Sequence, residues 1–186
     1  MTTWFDPLVE LYGLWTTELA ERYLPIDGAP PAKYECVDGR LIMSPRGGSA
    51  NSHATGELYA LLREPARTAA HVAYSRINMV FDPQRWIEPD LAVLRHSAKN
   101  VTWVPAEQVL MSVEFDSRWD RRALCAAAGV PYFLRVEITD HEAHLELLRL
   151  DDSGRYVVQA KALAGQEFRT DLPYPLSFDP AVLLES

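Results

Sequence analysis

The chain reads as a mixed α+β fold, a central mixed β-sheet flanked by helices, and three observations predict it. Short apolar runs such as Val109 to Phe115 have the length of strands buried on both faces. Helical patterns stand between them: near the N-terminus, over residues 50 to 63, and ahead of Gly129. Turn signals, Asp38-Gly39 and Asp152-Ser153-Gly154, join strand pairs. With 186 residues, 48% of them hydrophobic, one ordinary core can be buried. Residues 1–186 are therefore expected to form a single domain, with residues 1–30 a helix and loop packed on it.

Leu8, Leu11, Trp15, Leu19 and Tyr23 recur at helical spacing behind Pro7, which suits a first turn, so Asp6 to Tyr23 is predicted as one amphipathic helix. Gly28 to Pro31 is a loop of helix breakers. Tyr34 to Met43 reads as a hairpin around Asp38-Gly39, and Ser44 to Gly48 as a flexible loop. The second helix carries His53, Leu58, Leu61 and Leu62. Residues 72 to 82 and 87 to 94 look extended, the latter around Pro89-Asp90. Ser117 to Asp120 has the form of a capping box, and Gly129 with Pro131 stops the helix it opens. Strands follow at Tyr132 to Ile138, 143 to 150 and 155 to 161, then a short strand and a helical turn after Pro180. Neither repeats nor a linker interrupt this order.

The net charge of −8 argues against broad, charge-driven binding of nucleic acid. A local basic face remains compatible with it. Only Lys33, Lys99 and Lys161 are lysines among 18 basic residues, and arginines cluster at Arg63 with Arg67 and at Arg118 with Arg121 and Arg122. Arginine suits bidentate phosphate contacts, and equally surface ion pairs. Cys36 and Cys125 are too few and too scattered for a disulfide framework and read as buried thiols. No apolar run approaches the ~18 residues of a membrane span, so a reduced, cytoplasmic protein without membrane contact is expected. Tyr12, Trp15, Trp86, Trp103 and Trp119 lack the spacing of a base-stacking platform and read as core or interface residues.

Asp90 closes one strand signal and Glu114 is embedded in another. Two hard carboxylates on rigid strands are what a divalent-metal phosphodiesterase site needs. Taken alone, the pair reads first as a strand-end aspartate capping a loop and a buried glutamate paired with an arginine. Asp116 is either a third acidic ligand or, better, a helix N-cap. His53 reads as a structural histidine near a helix start, or as a phosphate contact.

Tyr34-Glu35-x-x-Asp38-Gly39, Ser44-Pro45, His53, Pro89-Asp90-Leu91-Ala92-Val93, Val113-Glu114 and Ala128-Gly129-Val130-Pro131 follow one another in a characteristic order. In this the chain resembles the Uma family of restriction-endonuclease-like proteins, in the PD-(D/E)XK nuclease superfamily, from about Tyr34 to the last strand. The resemblance implies a restriction-endonuclease-like fold and a Mg²⁺- or Mn²⁺-dependent endonuclease acting on nucleic acid, with DNA the expected substrate. It also implies Asp90 and Glu114 as metal ligands, with Glu35 contributing to the same acidic pocket. The family's lysine, seven residues before the alanine of Ala-Gly-Val-Pro, is Arg121 here, and the tyrosine four residues later is Cys125. Both positions share one helix face, so both departures fall on the side expected to meet the pocket. A guanidinium stays protonated and is a poor general base, though it binds phosphate well. Lys33, two residues before Glu35, is a candidate to stand in. The competing expectation is a catalytically inactive nuclease fold that binds nucleic acid, a protein partner, or its own copy as a homodimer through the aromatic N-terminal segment.

Overall fold

The computed structural model describes residues 5–45, 47–115 and 121–185. The capping box at Ser117 to Asp120, and with it Asp116, Arg118 and Trp119, lies outside the described residues. The elements run α1 (Pro7–Glu10), α2 (Thr17–Tyr23), β1 (Ala32–Val37), β2 (Arg40–Pro45), α3 (Ser49–Thr68), β3 (Val72–Ser75), β4 (Asn78–Asp82), β5 (Arg85–Ile87), β6 (Leu91–Leu94), β7 (Trp103–Pro105) and β8 (Val109–Phe115). Then come α4 (Arg122–Ala127), β9 (Tyr132–Ile138), β10 (Ala143–Leu150), β11 (Tyr156–Leu163), β12 (Phe168–Thr170), β13 (Leu176–Phe178) and a 3-10 turn at Pro180–Leu183. The fold is mixed α+β, as expected. Its strands divide between a five-stranded sheet, β2-β1-β5-β4-β7, and a six-stranded sheet, β11-β10-β9-β8-β6-β3, with β12 and β13 as a separate pair.

The six-stranded sheet carries the core on both faces. Ala54, Leu58, Leu62 and Ala66 repeat every four residues along α3 and pack on Leu91, Val93, Met111 and Val113. The other face, with Ala92, Leu94, Val109 and Phe133, packs against Cys125 and Val130 at α4. All seven residues of β8 are buried, which explains its largely apolar run, interrupted by Ser112 and Glu114. Most ladders are antiparallel, and β8 with β9 is parallel, joined through α4 as a crossover. Among the described residues, no helix is long and apolar enough to cross a membrane.

Three expectations about elements need correction. The N-terminal pattern is two short helices rather than one, because Gly13 takes a φ of 77° and Thr16 starts α2 afresh, its Oγ1 accepting from the Leu19 amide at 3.3 Å. Trp15 then donates from its backbone to the Gly39 carbonyl at 3.1 Å and is buried with Cys36 and Trp86. Next, α3 runs to Thr68, through Pro65, since Ala66 extends its buried face and the proline removes a single donor near the helix end. Finally, residues 72 to 82 are two strands in different sheets, broken at Arg76, whose φ is 56°. The strand β7 gave no signal; its three residues are too few for a period.

Gly39 has no substitute. Its φ is 73°, and a Cβ there would lie 2.4 Å from the Gly13 carbonyl oxygen. Gly39→Ala is expected to destabilise the protein by at least about 1 kcal/mol in urea denaturation. By contrast, a Cβ on Gly56 within α3 meets nothing within 4 Å, so Gly56→Ala should stabilise by ~0.5–1 kcal/mol through helix propensity. Leu58→Ala, which removes a fully buried side chain of α3, should cost ~2–5 kcal/mol by the same measurement.

Candidate active site

The site forms where the chain crosses between the two sheets. In the ladder of β6 with β8, Leu91 stands opposite Val113, so Asp90, one residue ahead of β6, falls opposite Glu114. Leu91 and Val93 point toward α3 while Ala92 and Leu94 point the other way. With a period of two, Asp90 and Glu114 share the second face. The adjoining edge belongs to the other sheet, where β1 supplies Lys33 and Glu35 two residues apart and hence on one face.

Arg121, immediately before α4, reaches into the space between the sheets and is only 5% exposed. Its Nη1 donates to Glu114 Oε2, and its Nη2 donates to Glu35 Oε2 at 2.7 Å. Lys33 Nζ donates to Asp90 Oδ1, and to the Glu88 carbonyl at 3.4 Å. Backbone amides hold the acids from behind: Glu88 N–H donates to Glu35 Oε1 at 3.0 Å, and Phe115 N–H to Asp90 Oδ2 at 2.9 Å. Glu114 Oε1 is buried and has no hydrogen-bond partner among the described residues.

Burial pushes the Glu114 carboxyl up to about 8, the Arg121 guanidinium pulls it down, and Asp90 pushes it up again. Arg121, for its part, loses solvation, which works against its charge, but Glu114 and Glu35 outweigh this and raise its pKa. Glu114 stays above the ordinary carboxylate range because it is buried and lies beside the carboxylates of Asp90 and Glu35.

Asp90 opens onto a cleft of about 750 Å³, lined by Lys33, Asp90, Phe115 and Arg121 on one side and by Asn51, Ser52, Thr55 and Tyr59 of α3 on another. Among the described residues, no three His, Cys, Asp or Glu side chains are grouped as a metal centre. The chemistry nonetheless fits a hard divalent ion. Magnesium is held by one or two carboxylates with water and substrate oxygens completing its shell, and Glu114 Oε1 is a buried acceptor without a partner among the described residues.

The sequence-predicted residues Asp90, Glu114, Arg121 and Glu35 thus converge, with Glu35 fully buried behind Arg121. Both descriptions of the lone acids also hold as geometry: Asp90 caps a backbone amide, and Glu114 pairs with an arginine. Cys125 is buried beneath the same patch, and the thiol of Cys36 is pushed up to about 12 by burial, consistent with an inert group. His53 is half-buried in α3 and does not line the cleft. Trp15 and Trp86 are core residues. Arg67 pairs with exposed Glu64 on the surface. Sequence reading missed Glu88, whose backbone fastens both Glu35 and Lys33 and so carries no side-chain signal, and Arg76, which lines the cleft.

No curated protein matches the chain. A solved structure similar to it is the crystal structure of a "putative nuclease belonging to DUF820" from Anabaena variabilis ATCC 29413, with a TM-score of 0.57 and 13% identity, covering 88% of this chain and 95% of that one. At that identity the likeness speaks for the fold. The family model Uma2, "Putative restriction endonuclease", matches residues 20–179, and the chain belongs to that family.

Proposed function

We propose that the protein is an endonuclease acting on DNA, with Mg²⁺- or Mn²⁺-dependent cleavage held to a low level by Arg121. The observation that carries this reading is the buried guanidinium bonded to both Glu114 and Glu35. Asp90 and Glu114 are the carboxylates that would hold the ion. When bound, such an ion makes its water more acidic and stabilises charge on the phosphate. Arg121 contributes positive charge at the same acids and so competes with cation binding. It also stays protonated, so it accepts no proton from an attacking water. Glu35 holds the arginine in place, while Lys33 neutralises Asp90 from the cleft side.

The same bridge supports a second reading, a nuclease fold kept for binding nucleic acid, a protein partner or a second copy. A nicked-plasmid time course separates the two. Weak wild-type cleavage is expected, raised about 10-fold or more by Arg121→Lys, within the range of a general acid–base contribution, and abolished by Asp90→Ala. No cleavage by any of the three, together with no Mn²⁺ binding, would establish the binding reading.

The protonation of Glu114 adds a pH prediction. A ligand carboxylate must be ionised, and Glu114 is held up to about 8, so Mn²⁺ affinity should rise between pH 6 and 8.5 by titration calorimetry. The stability effect has the opposite sense. The folded state keeps a proton that the unfolded chain releases near pH 4–5, so unfolding free energy from this group falls as pH rises from there to about 8. Glu114→Gln should flatten that decline in urea titrations at pH 5 to 9.

A further inference from the structure

The two cations of the site are not equivalent. Arg121 is buried and committed to Glu114 and Glu35. Lys33 stands on the cleft wall, with its ammonium bonded to one carboxylate oxygen of Asp90 and to the Glu88 carbonyl. An ammonium has three N–H donors, and these two contacts leave one for the cleft that the side chain lines. The described lining of the cleft is also basic against the background of the chain. Among the described residues, its charged lining residues are Lys33, Arg76, Arg121 and the single acid Asp90, on a protein of net charge −8. Arg76 has a φ of 56° between β3 and β4, a backbone conformation that non-glycine residues seldom adopt and that often marks functional segments.

We infer that Lys33 is the residue that contacts the substrate phosphate, while Arg121 is a structural bridge between the sheets. This rests on the DNA-directed reading above and adds the placement of the strand: a backbone phosphate enters the cleft between Lys33 and the polar turn of α3, and takes the third ammonium proton as a charge-assisted hydrogen bond. Asp90 then acts as a positioning residue that holds the ammonium at the cleft wall. The contact uses the phosphate alone and reads no base, so it is independent of sequence.

The test is binding, separated from cleavage by chelating divalent ions. Fluorescence anisotropy with a labelled DNA duplex is measured against salt for the full chain and its variants, with folding checked by circular dichroism. Lys33→Gln should weaken binding about 10-fold and reduce the slope of log K against log salt by about 0.9, one phosphate contact. Lys33→Arg should keep the slope. The double variant Lys33→Gln with Asp90→Asn restores the neutral balance of the pair and should still lack that contact. Recovery of the wild-type slope by the double variant would overturn the proposal, because the loss would then come from an uncompensated Asp90. An unchanged slope for Lys33→Gln would overturn it as well. No binding by the wild type would overturn the DNA-directed reading itself, and the role of Lys33 with it, an outcome distinct from wild-type binding that Lys33→Gln leaves intact.

Discussion

A single guanidinium ties the molecule together at its most polar point. Arg121 bonds Glu35 of β1 and Glu114 of β8, so one side chain connects the five-stranded sheet, the six-stranded sheet and the start of α4. Desolvating such charges is expensive, and the interaction repays that cost only when the geometry and the surrounding hydrogen bonds are good. Here the backbone supplies them, through the amides of Glu88 and Phe115. Taking away one partner leaves buried charge without its counterion, which is why substitutions at this point report on folding as well as on chemistry.

The same bond sets the site's chemistry. A cluster of carboxylates needs positive charge from somewhere. In this chain the polypeptide itself provides most of it, from a helix on one side and a strand on the other. Burial holds the Glu114 carboxyl above its ordinary range within that cluster. A protein that supplies its own counterions gains a stable floor beneath the cleft and gives up some of its hold on a diffusible one.

Much of this was legible in the chain, and the parts that were not have physical causes. The buried run at β8, the hairpin at Asp38-Gly39 and the stop at Gly129 were readable because a period, a turn requirement and a left-handed residue each leave a local mark. Asp90, Glu114 and Glu35 were named from their order along the chain, and their meeting follows from a ladder register that order alone does not contain. The division into two sheets was invisible, since β5 and β6 are separated by three residues and read as one extended stretch. Lys33 was flagged by its distance of two from Glu35; its bond to Asp90 depends on strands far apart in sequence. Glu88 acts through its main chain, which no side-chain motif encodes.

The passage from β5 to β6 at Glu88 to Asp90 has a mechanical meaning. Lys33 and Glu35 ride on one sheet, while Asp90 and Glu114 ride on or beside strands of the other. Sliding one sheet past the other must therefore separate cations from acids. The charge pattern in the cleft is thereby a gauge of intersheet alignment, since Lys33–Asp90 and Arg121–Glu35 both reach from β1 to elements outside its sheet.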